Sequence, residues 1–337
     1  MDWDTLKKVA RDKFGGVCRV CPVCNGVACA GEVPGMGGVG SGTSFRNNFA
    51  ALDGYRLNLR TQHGVKQPVL ACRILGMELA MPVIGAAIAG ISINMKGALS
   101  EEEYNQAVVT GCQQAGVICM TGDGPNPAIF EMGLEALKAV GGKGIPIIKP
   151  RENDRIVALA AAAAAAGAPA FGVDVDAAAL INMTNAGQPV GPKTIEDLAA
   201  IKRQTKIPFI VKGVMTSDEA RGCVEAGVDA IVVSNHGGRA MDYTPGTAEV
   251  LPHIAEAVRG QITILVDGGI RSGGDVLKML ALGADAVLLG RPLAIGAVGG
   301  GLEGAGMVLN KLAGELRAAM VLTGTASVAA VSEDVIW

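Results

Sequence analysis

The chain has 337 residues and half of them are apolar, which is enough to build a sizeable buried core. Its formal net charge is −3. No segment carries the basic stripe or polybasic tail typical of nucleic-acid-binding proteins, so the sequence excludes nucleic acid as a partner.

The N-terminal stretch MDWDTLKKVARDKF has the spacing of an amphipathic helix. It lacks the apolar core of a signal peptide, and we expect the protein to stay in the cytoplasm.

The longest apolar run, from Ile156 to Val173, has the length of a membrane span, but it is mostly alanine and is broken by Gly167 and Pro169. It predicts a helix, a turn and the start of a strand, so we expect no membrane partner.

Four cysteines follow the first predicted helix in the segment CRVCPVCNGVAC, with the spacing C-x2-C-x2-C-x4-C. The cytosol keeps thiols reduced, so thiols this dense in a cytosolic protein argue against structural disulfides and indicate a metal site at Cys18, Cys21, Cys24 and Cys29. The first three have the spacing of a bacterial ferredoxin run, which favours an iron–sulfur cluster. Tetrahedral zinc accepts similar ligands, and a redox-active or unligated set of thiols is the third interpretation.

Short apolar runs alternate with amphipathic or Ala-rich helical stretches over the rest of the chain, a pattern typical of repeated βα units. Helix starts are marked by TSDE at 216–219 and SGGD at 272–275, and Ala-Gly or Leu-Gly pairs end four helices. Eight βα units indicate an α/β fold, a TIM (β/α)8 barrel. The predicted strands are 81–87, 117–122, 145–150, 170–176, 208–213, 229–235, 263–269 and 285–291.

The carboxyl ends of these strands are unusually polar, and this is the end at which TIM barrels carry their active sites. After strands seven and eight, VDGGIRSGGD and LLGRP join Gly-rich turns to two arginines. Barrels commonly bind phosphate there through backbone N–H groups and guanidinium forks. The polar strand-end residues are Lys149, Asp174, Asp176, Lys212, Asn235, His236, Asp267 and Arg291.

The segments IPFIVKG, SNHGGR, DGGIRSGGD and LGADAVLLGRP closely resemble the FMN-dependent α-hydroxy acid dehydrogenases and oxidases. The resemblance implies that Lys212 lies beside the flavin N1/O2 edge. It implies that the ribityl phosphate is held by Asp267, Gly269, Arg271, Gly290 and Arg291. It also places along the flavin Ala87, Ile88 and Ala89 in the first strand and Gly122 at the end of the second.

The same resemblance implies a catalytic role for the SNHGGR segment. His236 is then the general base that faces the substrate, Asp176 holds this histidine, and Arg239 binds the substrate carboxylate. A buried carboxylate raises the proton affinity of a neighbouring histidine, which suits a base.

Three substrate-binding features of the family are absent. The stretch EVPGMGG (32–38) has no tyrosine before its Gly-Gly pair, IPIIKP (145–150) has Lys149 among apolar residues in place of a second tyrosine, and AAALINMTN (177–185) has no arginine. These losses make glycolate or lactate doubtful substrates. Lys149 and Asp174 are the visible replacements, and a salt bridge is an equally weighted interpretation of Asp174.

The sequence therefore predicts an N-terminal Cys-rich lid segment (1–75) and an FMN-binding barrel (76–337). The predicted activity is oxidation of a 2-hydroxy acid to the 2-oxo acid, with the proton taken by His236 and a hydride passed to flavin N5. An FMN-dependent isomerase related to type 2 isopentenyl diphosphate isomerase is the alternative, and a flavin-loaded redox sensor is a third possibility. We expect a homo-oligomer and, if the cysteines bind iron, a protein electron acceptor.

Overall fold

A computed structural model describes residues 1–337, apart from the side chain of Ile181. Eight parallel strands close into a barrel in the order β10-β3-β4-β5-β6-β7-β8-β9. All eight predicted strands are confirmed, and so is the TIM barrel. The strands are β1 (Cys72–Ile74), β2 (Met77–Leu79), β3 (Val83–Gly85), β4 (Ile118–Thr121), β5 (Gly144–Ile148), β6 (Phe171–Asp174), β7 (Phe209–Val214), β8 (Ala230–Val233), β9 (Thr263–Val266) and β10 (Ala286–Leu289).

Helices cover the outside of the barrel, and their ends follow the predicted signals. Thr216 and Ser272 cap two helices through their side chains, and Gly116, Gly167, Gly227 and Gly283 follow helix ends with positive φ. The α-helices are α1 (Trp3–Phe14), α2 (Thr43–Gly54), α3 (Ile91–Asn94), α4 (Glu101–Gln114), α5 (Pro127–Ala139), α6 (Asn153–Ala165), α7 (Ile181–Asn185), α8 (Ile195–Gln204), α9 (Ser217–Glu225), α10 (Thr247–Val258), α11 (Gly273–Ala281) and α12 (Arg291–Thr323). Short 3-10 helices cover Val175–Ala177, Val328–Ala330 and Glu333–Val335.

The barrel has two apolar layers because successive residues of each strand point to opposite faces. The inner layer includes Ile84, Met120, Ile210 and Leu288, all buried. The outer layer packs under the helices. Gly172 leaves room inside, since an added Cβ would lie 2.6 Å from Ile147 Cδ1.

The N-terminal segment wraps over the barrel. Its first helix, α1, packs on α12 with Leu6, Ala10 and Phe14 buried, which confirms the predicted amphipathic helix. The antiparallel β1–β2 hairpin adds Ile74 and Leu79 to the inner core. The predicted boundary between residues 75 and 76 falls in the turn of this hairpin.

The apolar run from Ile156 to Val173 folds as predicted into most of α6, a turn at Gly167 and the first part of β6. A different helix, α12, has the length and apolar composition of a membrane span. Its backbone leaves the helical conformation at Gly300 and Gly301, and 56% of its most apolar window is buried within the protein.

Candidate active site

The polar side chains predicted at the strand ends converge at the carboxyl end of the barrel. His236 follows β8, and its ring Nδ1 lies 2.8 Å from Asp176 Oδ1, in the 3-10 turn after β6. The approach requires a glycine at position 213 on β7, because an added Cβ there would lie 2.6 Å from the Asp176 side chain. The glycine of the VKG sequence therefore makes room for the carboxylate that holds the histidine.

The backbone of His236 adopts a left-handed conformation with φ of 60°, which costs a non-glycine residue about 1–2 kcal/mol. Two hydrogen bonds offset this cost. The His236 N–H donates to Ser234 Oγ over 3.0 Å, and the ring is fixed by Asp176. A quarter of the histidine side chain (26%) stays exposed, so a small molecule can reach it.

The Lys212 ammonium is the centre of a buried charge network. It donates to Ser234 Oγ over 3.1 Å, and its Nζ lies 3.8 Å from Asp176 Oδ2 and from Asp267 Oδ2. The Ser234 hydroxyl in turn donates to Asp267. Burial alone would lower the pKa of Lys212, but the nearby carboxylates of Asp176 and Asp267 reverse that effect and raise it. Lys212 therefore remains a cation.

The two carboxylates of this network titrate in opposite directions. Burial opposes ionisation of Asp176, but the charges of His236 and Lys212 overcome it and lower its pKa to about 2. For Asp267, burial dominates over the charge of Lys212, and its pKa is raised. One oxygen of each carboxylate, Asp176 Oδ2 and Asp267 Oδ1, lacks a hydrogen-bond partner among the described residues. The network thus retains free acceptors at the barrel mouth.

Three arginines form a second group above the first. The Arg239 guanidinium donates to the carbonyls of Gly35 and Gly37 and to Asn94 Oδ1. Arg291 donates to the carbonyls of Met36 and Gly37. No carboxylate of the described residues lies within salt-bridge distance of Arg239, Arg271 or Arg291.

Burial and mutual repulsion make this group a strong anion site. Burial, together with the charges of Arg271 and Arg239, lowers the pKa of Arg291 to about 9. The Arg291 and Arg271 guanidinium carbons lie 3.8 and 5.9 Å from the centre of the Phe45 ring. An anion placed here would relieve the repulsion among the arginines.

The residues present fit the phosphate and ring of FMN. Helix α12 begins at Arg291 with no side-chain cap, so its N-terminus can accept an anion, whereas α11 begins with a Ser272–Asp275 capping box. Gly290 has free space around it, since the nearest atom to an added Cβ would be Ala86 Cβ at 3.7 Å. Gly269 is needed for packing, since an added Cβ would lie 2.3 Å from the Asn48 carbonyl oxygen. The buried ammonium of Lys212 would supply the positive charge that an anionic reduced flavin requires.

The residues of the first two barrel strands that are predicted to lie along the flavin are close to one another. Ala87, Ile88 and Ala89 are half-buried just after β3. Gly122 follows β4, and a Cβ added to it would lie 2.6 Å from Ala89 Cβ. Their contact with flavin stays a prediction.

Lys149 and Asp174 are brought together by the fold, with Lys149 Nζ 2.6 Å from Asp174 Oδ2. The salt-bridge interpretation of Asp174 therefore describes its geometry, and Asp174 Oδ1 remains without a hydrogen-bond partner among the described residues. The carboxylates of Asp174 and Asp176 and the His236 ring come within 4.8 Å of one another. Lys149 and Lys212 already balance these carboxylates, which disfavours a metal cation there.

Sequence reasoning missed a second buried ion pair in this region. Arg151, after β5, forms a forked contact with Asp123, after β4, and also donates to Gln188 Oε1 over 2.7 Å. Both charged side chains are almost completely buried. The available signal was their position: each directly follows a strand, like the residues that were predicted.

The four N-terminal cysteines line one cavity together with Arg291, Met36 and Ile295. All four thiols are half-buried. Burial raises the pKa of Cys18 to about 11 and also raises that of Cys29. Arg271 Nη2 donates to Cys24 Sγ over 3.5 Å, and Arg271 Nε donates to the Cys24 carbonyl. The other cysteines, Cys72, Cys112, Cys119 and Cys223, lie on strands or helices.

A family model for FMN-dependent dehydrogenases matches residues 35–191 and 183–337 of the chain. The chain belongs to the FMN-dependent dehydrogenase family. It is therefore an FMN-dependent oxidoreductase. The family match begins after the cysteine segment, which lies outside the matched residues.

Individual relatives agree with this family assignment. The chain is 32% identical to an L-lactate oxidase of Lactobacillus jensenii over 317 residues, covering 85% of this chain and 76% of the relative. It is 31% identical to 2-hydroxyacid oxidase 1 of Mus musculus, covering 86% of this chain and 87% of the relative. A crystal structure of a mandelate oxidase variant with 2-hydroxy-phenylacetamide superposes with a TM-score of 0.80 at 32% identity, covering 96% of this chain and 95% of that chain. A structure of a second mandelate oxidase variant holds a C4a-OH-FMN adduct; it superposes with a TM-score of 0.78 at 31% identity, covering 97% of this chain and 96% of that chain.

Proposed function

We propose that the protein uses FMN to oxidise a 2-hydroxy acid to the corresponding 2-oxo acid. The observation that carries this proposal is the hydrogen bond between His236 Nδ1 and Asp176, beside the buried ammonium of Lys212. The relatives described above are oxidases of hydroxy acids, and none of them is an isomerase. They give no support to the isomerase alternative.

His236 is the general base of this reaction. Because its Nδ1 bonds to a carboxylate, Nδ1 carries the proton and Nε2 keeps the free lone pair in the neutral ring. Nε2 takes the proton of the substrate hydroxyl, and Asp176 stabilises the imidazolium that results. When bound, FMN supplies the two-electron acceptor at flavin N5.

Arg239 binds the substrate carboxylate. It lies three residues after the base, on the same loop, and its neighbours are carbonyl and amide oxygens, so its charge is not neutralised by a carboxylate among the described residues. Burial lowers the pKa of Arg239 from its ordinary value, and a substrate carboxylate would offset that effect. Substrate orientation therefore comes from one arginine and one histidine of a single loop.

The substrate is larger than glycolate or lactate. Both tyrosines and the second arginine that would hold a small hydroxy acid are missing from the sequence. Lys149 stands near the mouth but its ammonium is paired with Asp174. The site therefore grips the carboxylate end of a substrate and leaves space for a bulky group on the carbinol carbon.

Four further properties are proposed with this function. The four N-terminal cysteines bind an iron–sulfur cluster, with zinc as the alternative, and a cluster favours a protein electron acceptor. A cytoplasmic location, as expected from the sequence, is the third. A homo-oligomer, also expected from the sequence, is the fourth.

A substrate screen tests the proposed function. The FMN-loaded protein is mixed in the absence of oxygen with 2-hydroxy acids that range from glycolate and lactate to mandelate and bulkier aryl or branched compounds. We expect the flavin absorption bands to bleach with the bulky acids and to bleach more slowly with glycolate. Bleaching by none of them would reject the proposed function, and fastest bleaching with glycolate would reject the size argument.

A further inference from the structure

The cysteine segment is an addition to the family fold with its own surroundings. Cys18, Cys21, Cys24 and Cys29 all line one cavity, and the family match starts only at residue 35. The loop that carries them reaches this arrangement through positive φ at Val20, Gly26 and Gly31. Phe45 closes one side, since a Cβ added to Gly26 would lie 2.7 Å from its ring. The four thiols are therefore gathered by a defined path of the backbone.

The wall of this cavity is positively charged. Arg291 lines it, and Arg271 donates to both the sulfur and the carbonyl of Cys24. Neither arginine has a carboxylate partner among the described residues, whereas Arg19, at the rim, is neutralised by Glu32. A metal centre with four thiolates carries a net negative charge, so it would complement this wall.

We propose that Cys18, Cys21, Cys24 and Cys29 bind an iron–sulfur cluster and that Arg271 and Arg291 are its counter-charges. The spacing of the first three cysteines, C-x2-C-x2-C, is that of a bacterial ferredoxin run and favours a cluster over a single zinc ion.

The cavity is separated from the proposed active site by one side chain. Arg291 lines the cysteine cavity, and a Cβ added to Gly237, next to the histidine of the active site, would lie 2.9 Å from Arg291 Nη1. A cluster here would exchange electrons with the flavin. This step rests on the proposed function: the substrate gives two electrons to the flavin, which passes them one at a time through the cluster to a one-electron carrier protein.

Metal analysis tests the cluster independently of any turnover. The protein is purified without oxygen, reconstituted with ferrous iron and sulfide, and assayed for iron, acid-labile sulfide, zinc and FMN. We expect iron and sulfide in the parent and in Cys72→Ser, a control at a cysteine outside the cavity. Cys21→Ser combined with Cys24→Ser should lose both while it retains FMN. Zinc or no metal in the parent, or unchanged iron in the double variant, would overturn the proposal.

Two measurements separate loss of metal from loss of fold. The melting temperature of the double variant reports its fold, and Arg271→Gln keeps all four thiols. We expect Arg271→Gln to retain iron but to shift the reduction potential of the cluster to a more negative value, because a positive hydrogen-bond donor to Cys24 is lost. An unchanged reduction potential would show that Arg271 is not a counter-charge of the cluster.

The electron route is tested with ferricenium as the one-electron acceptor. After flavin reduction by a 2-hydroxy acid, or by light with EDTA as the electron donor, the parent and Cys72→Ser should pass electrons on, and the double cysteine variant should lose this transfer. Equal transfer in all three would overturn the route. If light reduces the flavin but no 2-hydroxy acid does, the proposed function fails while the cluster and its route still stand.

Discussion

The buried charge network around Lys212 lies beside the arginines that face the N-terminal cysteines. The two regions differ in how charge is balanced. In the first, Lys212 lies between Asp176 and Asp267, and the Ser234 hydroxyl accepts from Lys212 and donates to Asp267. In the second, Arg271 and Arg291 have carbonyls, an aromatic ring and a thiol as neighbours. The first region is balanced by the chain itself. The second has excess positive charge and requires an anion from outside.

This difference separates two tasks. A hydrogen-bonded network whose ammonium already has carboxylate partners holds His236 in place before a substrate arrives, which is what a general base needs. A group of uncompensated arginines gains stability when it binds phosphate or a thiolate–metal centre. Changes in the first region should therefore affect the reaction, and changes in the second should affect what the protein binds.

The largest effect is expected for His236→Ala. Flavin reduction by a 2-hydroxy acid should slow by about 10² to 10⁴, the usual contribution of a general base. FMN content should not change, because the histidine is not part of the arginine group. Rapid mixing without oxygen measures the rate, and His253→Ala, an exposed histidine on α10, is the control. Bleaching at the parent rate would make His236 a structural residue.

Next in size are Arg291→Ala and Arg271→Ala. If these arginines hold the FMN phosphate as predicted, each change removes a charge-assisted contact worth about 1.5–3 kcal/mol, so FMN affinity should fall about ten- to a hundred-fold. Titration of the flavin-free protein with FMN gives the dissociation constant. Arg221→Ala, an exposed arginine on α9, should bind FMN like the parent. If both arginine variants bind FMN as tightly as the parent, these arginines do not hold the FMN phosphate.

Ser234→Ala tests whether the first region is balanced internally. The hydroxyl accepts from Lys212 and from the His236 N–H and donates to Asp267. Its loss leaves buried polar groups without partners and should cost about 1–3 kcal/mol of folding free energy. Chemical denaturation of the flavin-free proteins measures this cost. Ser217→Ala, a partly exposed hydroxyl bound to the His253 carbonyl, should change stability much less; equal stability losses would contradict the network.

The smallest effect is a pH dependence from Asp176. Its pKa is about 2 in the folded protein and 3.8 ordinarily, so the folded state binds this proton less readily than the unfolded state. The carboxylate therefore contributes stability above about pH 4, up to about 2 kcal/mol, and loses it as the pH falls towards 2. The stability difference between the parent and Asp176→Asn should shrink over that window. A constant difference would contradict the stabilised carboxylate.

Much of the fold was predictable from the sequence because each barrel strand is a short apolar run bounded by turn signals. The positions of His236 and Asp176 followed from the family resemblance. Their partners were less accessible: Arg151 and Asp123 are 28 residues apart and meet only because β4 and β5 are neighbours. The acceptors of Arg239 and Arg291 depend on the path of residues 35–37 over the barrel. A sequence identifies donors, but long-range packing decides their acceptors.

A single turnover without oxygen tests the central claim most directly. That claim is that the FMN-loaded protein oxidises a 2-hydroxy acid with His236 as the general base. FMN-loaded protein is mixed, in excess, with a 2-hydroxy acid that bleaches the flavin. The reaction is quenched, and both the 2-oxo acid and the reduced flavin are quantified. The account predicts one 2-oxo acid formed for each flavin reduced, with both appearing together in the parent and both suppressed in His236→Ala. Flavin reduction without 2-oxo acid, or equal product in the two proteins, would contradict it.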